Sequence, residues 1–287
     1  MAVSTTTTLT ELVNSEFISD AVLDYAMDVV CIAPYTNMAD LRGKASSVAS
    51  FVKWVADTAT DRGETDDLSA ETLETTQVAC TAAECGVRRD ITDHALEDGI
   101  LGANLFDFIV KDSGTLLAVS LDDDLAALLG GFSTVVGTSG ANLSLANMAG
   151  AASSLRKNKM RGTACYILDD QQSEDYQAAL IASTSTTINS YSTPSDAGNS
   201  DYLGTFMGMD VFSTSLTDTA NSAADVTGAL FIHNPLSSAA LGMCLARDVR
   251  VEFDRNITAR TSLVVATARW GVAEISDSSG VSIITDA

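Results

Sequence analysis

The chain has 287 residues, of which 38 are acidic and 16 basic, giving a formal charge of −22. A field of that sign repels nucleic acid and resists nonspecific association, which excludes a broad basic surface for gripping DNA. Hydrophobic residues make up 46% of the chain, enough for an ordinary core in one large or two medium domains at roughly 150 residues each.

The opening MAVSTTTTLTELV lacks the basic start and apolar core of a secretory signal. Thr8 and Glu11 match a capping box. Ile18, Val22, Tyr25, Ala26 and Val29 then mark an amphipathic helix that must end before Pro34. Residues 34–44 read as extended. Ser47 to Val55 (SVASFVKWV) is rich in β-branched and aromatic residues and reads as a strand, with Thr72 to Ala79 as its weaker partner. The acidic, polar stretch between them centres on Gly63, so a long hairpin is expected. Such a hairpin has too little apolar surface to fold alone and needs another surface to lie on.

The stretch from Ile91 to Phe132 organises the rest. Leu105, Ile109, Asp112, Leu116 and Val119 recur at helical spacing, which predicts one long helix over about residues 101–129. Thr92 and Asp93 are placed to cap its lead-in turn. Gly130 and Gly131 are expected to end it. Residues 137–140 read as a hinge. Leu145, Met148, Ala149, Ala152 and Leu155 form a second helical stripe, closed by basic residues that suit the negative end of a helix dipole. Thr163 to Leu168 reads as a strand, and Glu174 and Asp175 open another helix with Tyr176, Ala179 and Leu180 inside. Phe206 to Leu216 and Ala229 to His233 read as strands, separated from their neighbours by polar loops at 184–200 and 217–225. Helices alternating with strands predict a small α/β layer structure over 137–235. Val249, Val251 and Phe253 alternate with charged residues, giving a strand with one apolar face. Leu263 to Val272 reads as a more buried strand, and Val281 to Ile284 closes the chain.

No catalytic, cofactor-binding or metal site is assigned. His94 and His233 are the only histidines, and no nucleophile-elbow motif accompanies them. Cys80 and Cys85 lack the further ligands that a structural zinc needs. Asp122, Asp123 and Asp124 offer a divalent-cation reading beside the plainer one of a solvated acidic helix face. The five cysteines, Cys31, Cys80, Cys85, Cys165 and Cys244, are scattered and fit a reduced cytoplasm with thiols acting as small hydrophobes. The grouped arginines Arg88 and Arg89, with those between Arg247 and Arg269, are candidates to pair with carboxylates of a neighbouring copy, or are simply solvated. No run of about 18 apolar residues occurs, so no membrane partner is expected.

Taken together, the order of parts resembles the Hong Kong 97-type fold of tailed-bacteriophage major capsid proteins, shared by encapsulin shells. The ending RDVRVEFDRNITARTSLVVATARWGVAEISDSSGVSIITDA, with its Trp270–Gly271 pair, is the most specific part. The resemblance implies an α+β architecture. Residues 1–43 would be an N-arm and 44–79 an extended β-hairpin loop. Residues 80–136 would form a peripheral domain with a long spine helix, 137–235 an α/β axial domain, and 236–287 the peripheral return strands. It implies a structural protein without enzyme activity or cofactor, self-assembling as hexamers and pentamers into an icosahedral head. Copies would touch through the arm and the loop and enclose double-stranded DNA without sequence-specific binding. The implied location is the virion capsid, after assembly in the host cytoplasm. Only about forty residues precede the hairpin, so a separate scaffolding protein or an already matured chain is expected, alongside a portal and a decoration protein. Some members crosslink a loop lysine to a neighbour's asparagine. Lys53 lies in the matching region with Asn256 as the candidate partner, although a plain surface lysine is the simpler reading. The alternatives are an encapsulin-like nanocompartment shell and, from another class, a hydrolase using His94 or His233. An acidic adhesin or surface-layer protein is disfavoured by the missing export signal.

Overall fold

The computed structural model describes residues 30–54, 61, 75–97, 105–160, 162–182, 202–222, 224–234 and 239–287. The predicted N-terminal helix, the hairpin tip, the lead-in to the long helix at 98–104 and the loop at 184–200 lie outside these residues. In chain order the first elements are β1 (Asn37–Asp40), β2 (Val48–Trp54), β3 (Thr75–Thr81), β4 (Ala83–Thr92), α1 (Asp93–Glu97) and α2 (Leu105–Ala126). Then come β5 (Val135–Gly137), α3 (Leu145–Lys157), β6 (Thr163–Asp169), α4 (Asp170–Ala182), β7 (Tyr202–Phe206), β8 (Met209–Thr214) and β9 (Thr219–Ala220). Strands β10 (Asp225–Asn234), β11 (Leu241–Asn256), β12 (Thr261–Glu274) and β13 (Gly280–Asp286) complete the chain.

The strands form two large sheets and one hairpin. The four-stranded sheet runs β1-β11-β12-β4, antiparallel except for the parallel pairing of β1 on β11. The seven-stranded sheet runs β5-β13-β10-β6-β8-β7, with β9 attached to β10. Strands β2 and β3 form the separate hairpin, registered from Val48 opposite Thr81 to Trp54 opposite Thr75.

The seven-stranded sheet explains the continuous apolar runs. Tyr166, Leu168, Leu230 and Ile232 face Met148, Leu155 and Tyr176 of α3 and α4. Cys165, Ile167, Ala229 and Phe231 face the other way, against Leu125, Leu129 and Phe132 at the end of α2. A strand covered on both faces has no polar side to alternate with. Each fully buried Leu- or Ile-sized side chain contributes about 1.5–3 kcal/mol. The other sheet packs one face on α2, and its opposite face is covered by the β2–β3 hairpin at the end near Cys244. Val251, Val264, Ala266, Ala268 and Trp270 pack on Ile109, Val110 and Leu117 of α2, and beyond the hairpin the opposite face carries charged residues such as Arg250, Glu252 and Asp254. Helix α2 thus serves both sheets, its first half on one and its end under the other. At about 1.5 Å per residue it is roughly 33 Å long.

Several expectations shift. The long helix ends at Ala126 and passes into a 3-10 turn over Leu129–Gly131. Gly130 and Gly131 are not among the positive-φ glycines, so a left-handed cap does not end it. The strand read over Phe206–Leu216 is β8, beginning at Met209, and it is preceded by β7, with the turn between them at Met207 and Gly208 at φ of 53° and 80°. Helix α4 begins at Asp170, four residues before Glu174. Strand β13 pairs with β5 and β10 in the seven-stranded sheet, so the last strand does not return to the sheet of β11 and β12. The unit drawn over 236–287 is therefore split between the two sheets.

Candidate functional site

What the side chains build is a set of joints that fix an arm and a hairpin to the body.

The first joint is made by Asp122 on α2, which is 2% exposed. Its carboxylate accepts the backbone N–H of Cys31 at 2.5 Å, of Ile32 at 3.2 Å and of Ala33 at 3.4 Å. A 3-10 turn over Ala33–Tyr35 starts there, and its first N–H groups have no partner within the turn. The carboxylate supplies one from across the chain. From the turn the chain enters β1 on the edge of β11, with Arg42 held between Asp40 and Asp248. Beside the turn, Val30 packs on Ala118 of α2.

The second joint seats the hairpin. Ala49 and Phe51 of β2 and Cys80 of β3 pack with Leu41, Ala82, Cys244 and Ile275. Two glycines allow this approach. A Cβ at Gly271 would overlap the carbonyl oxygen of Thr81 at the hairpin base, and one at Gly242 would stand 2.9 Å from the Phe51 ring. The Trp270–Gly271 pair singled out in the sequence therefore has two separate tasks. Gly271 admits the hairpin, and the Trp270 indole N–H donates to Asp124 at 2.8 Å, fastening β12 to α2.

The predicted site residues can now be placed. Asp122 and Asp124 turn to different partners, so the three aspartates do not converge on a cation, and Asp122 is no part of a solvated face. Among the described residues no group of three or more His, Cys, Asp and Glu is arranged to hold a metal. Cys80 meets Cys244, while Cys85 meets Ser120, so Cys80 and Cys85 share no site. His94 is exposed in α1 beside the four-stranded sheet. His233 ends β10 on the other sheet, its ring edge-on to Tyr35 at 5.2 Å. Burial lowers its pKa, against an opposing pull from Asp210. The two histidines belong to different packing units.

Five of the grouped arginines find partners inside the chain: Arg88 with Asp90, Arg89 with Asp112, Arg247 with Glu84, Arg250 with Glu252 and Arg255 with Asp93. Asn256 accepts from Thr258 and Ala259 at the turn after β11. Lys53 acts electrostatically on Glu274, which pairs with Leu241 at the opposite end of that strand. Fifteen strand steps at about 3.3 Å separate the two ends by roughly 50 Å. Within one chain Lys53 and Asn256 do not meet.

What sequence reasoning missed is the structural use of buried polar groups. Gln172 is fully buried and donates to Ile283 O and Thr285 Oγ1, joining α4 to β13. Asp225 is also fully buried. It accepts the N–H of Gly140 at 2.9 Å and the side-chain amide of Asn221. The Ser139 hydroxyl, first, and then these two donors hold its carboxyl below the ordinary value.

No family model matches this chain, and no curated protein matches it. Solved structures do. A chain from Mycobacterium phage Che8 is 17% identical with a TM-score of 0.66, covering 88% of this chain and 90% of that one. A chain from the acid-stable capsid of Helicobacter pylori bacteriophage KHP30 is 12% identical with a TM-score of 0.64, covering 91% and 90%. A chain of the holo-SrpI encapsulin complex from Synechococcus elongatus PCC 7942 is 8% identical with a TM-score of 0.63, covering 89% and 87%. The chain thus has the α+β shell-protein fold of the Hong Kong 97 type, as the order of its parts predicted.

Proposed function

We propose that this chain is the major capsid protein of a tailed bacteriophage. It assembles as hexamers and pentamers into the icosahedral head that encloses the viral double-stranded DNA. The observation that carries this reading is the extent of the likeness: about nine-tenths of this chain aligns with about nine-tenths of the phage chains. The joints support it. They hold an arm and a hairpin whose cores are too small to stand alone, and the hairpin presents Val52 half exposed. The hairpin between β11 and β12 likewise ends in Ile257, 80% exposed. Apolar side chains on projecting ribbons suit burial against neighbouring copies, and obligate interfaces typically bury about 2,000 Å² or more.

In this reading residues 1–43 and 44–79 contact neighbours. Residues 80–136 and 236–287 build the floor of the shell, with β13 lent to the axial sheet. Residues 137–235 meet their counterparts at the capsomer centre. The protein works as a structural element without catalysis or cofactor. A separate scaffolding protein, a portal and a decoration protein are its further partners, and assembly takes place in the host cytoplasm. The charge of −22 keeps a container from adhering to its DNA.

The second reading is an encapsulin-like compartment, favoured by the likeness to the holo-SrpI chain. Electron microscopy of the purified protein, alone and with its neighbouring gene products, tests both. Closed shells with packaged DNA support the phage reading, and shells filled with protein support the encapsulin reading. A uniform monomer under every condition overturns both.

A further inference from the structure

We infer that Cys80 and Cys244 are a crosslinking pair, and that a disulfide between them fastens the base of the hairpin to β11. Their sulfurs stand 3.0 Å apart, so bonding distance, about 2.05 Å, is reached by an approach of roughly 1 Å. The two residues are 164 positions apart, and the fold alone brings them together. Cys244 Sγ also donates to the carbonyl oxygen of Cys80 at 3.5 Å. Both are buried, at 1% and 0% exposure, in the cluster that seats the hairpin, and no third cysteine belongs to it. Across the β11–β12 pairing Cys244 faces Gly271. A Cβ there would come 3.1 Å from Cys244 Sγ, so the absence of a side chain leaves the sulfur its space.

The chemistry is a two-electron oxidation. With diamide as oxidant, one thiolate adds to the nitrogen–nitrogen double bond. The second sulfur then attacks the first and expels the hydrazine, which leaves carrying both protons and both electrons. Burial, and next the hydrogen bond to Cys244, push the Cys80 thiol up to about 12. Few thiolates form while the joint is closed, so the bond forms as the hairpin base loosens. A crosslink closing so long a loop restricts the unfolded chain strongly. Because the pair lies within one chain, the inference holds for a monomer and for a shell alike, and its failure would leave the shell reading standing.

The test uses the full chain, purified under reductant and then treated with diamide at temperatures rising toward unfolding. Free thiols are alkylated in denaturant and the protein is mapped by mass spectrometry. Partly exposed Cys85 reports that oxidant has reached the protein. The expected product contains a Cys80–Cys244 peptide, lighter by about 2 mass units than the sum of its two thiol peptides because two hydrogens are lost. Its Tm is raised by several degrees and falls back with dithiothreitol. Cys80→Ser and Cys244→Ser, each checked for folding by circular dichroism, lose the peptide and the Tm shift together. Alkylation of both residues after Cys85 has fully reacted overturns the inference. So does a bond from either one to another cysteine, or a Cys80–Cys244 bond that leaves Tm unmoved.

Discussion

Ile32 donates its backbone N–H to Asp122 from 90 positions away, at 3.2 Å, and with that bond the arm is tied to the long helix. Asp122 stands first in a run of three aspartates that differ only in where the helix points them. Asp122 is buried and accepts from the arm, Asp123 is exposed, and Asp124 accepts from Trp270. Hydrogen bonds to a charged group contribute about 1.5–3 kcal/mol, and a buried donor left alone costs about 1–3 kcal/mol. Asp122→Ala is therefore expected to destabilise most, by about 2–4 kcal/mol. Asp124→Ala, which strands the indole N–H, should cost about 1–2 kcal/mol, and Asp123→Ala under about 0.5 kcal/mol. Urea denaturation of the three variants gives the order directly, and equal midpoints would refute it.

Gly271 carries a prediction about the hairpin. A methyl group there overlaps the Thr81 carbonyl, which is backbone and cannot rotate away. Gly271→Ala should lift the hairpin base and cost about 1–3 kcal/mol by overpacking. Exposing Phe51 in the process raises protease cleavage at the hairpin before the rest of the chain unfolds. Limited proteolysis with mass mapping reads this, and a cleavage pattern like the wild type's would show that the base yields without separating.

Asp225 and His233 contribute to the pH dependence at separate steps, alongside the surface carboxylates Asp40 and Asp90, whose pKa values are lowered by their arginine partners, and Glu274, whose pKa burial raises. Asp225 has its carboxyl held below the ordinary 3.8, first by Ser139. The unfolded chain then binds the proton more tightly, so the stability Asp225 contributes is full above 3.8 and is lost as pH falls through the folded value. His233 has its pKa lowered by burial from the ordinary 6.5. Protonation again favours the unfolded chain, so its contribution is full above 6.5 and declines as pH falls from there toward the folded value. Tm measured from pH 7 to pH 3 should fall in two stages. His233→Gln should flatten the upper stage and Asp225→Asn the lower, and a variant profile parallel to the wild type's would refute that assignment.

Particular residues show why some of this was legible in the sequence. Val249, Val251 and Phe253 alternate with charges because that end of β11 has water on one side. Thr163 to Leu168 is uniformly apolar because β6 is covered on both. Thr92 caps α1 as its position predicts, accepting the N–H of Ala95 at 3.2 Å. Strand β4 gave no such signal. Its residues are mostly exposed, and Arg89 and Glu84 are spent on Asp112 and Arg247, partners that only the fold reveals. The turn after β7 was hidden because it uses Met207 at positive φ, a residue that marks no turn. Asp122 was hidden for another reason: three identical side chains in a row do not say which one faces inward. The long-range hydrogen bonds of the joints link residues 89 to 206 positions apart, and no local pattern records such distances.

The hairpin tip gives the last prediction, which rests on the shell reading. Strands β2 and β3 are paired through Trp54 opposite Thr75, and their base is fixed to the body by Phe51, Cys80 and the space at Gly271. Removing residues 57–71 leaves that base intact, so the variant should fold with nearly the wild-type Tm. The residues removed bear a strong excess of acidic over basic side chains. If the extended loop bridges copies, the variant should remain soluble yet form few closed shells at concentrations where the full chain assembles. Light scattering during assembly and electron microscopy of the products measure this. Shells of normal yield and size would remove the bridging role from the loop and leave the arm and the β11–β12 tip to hold copies together.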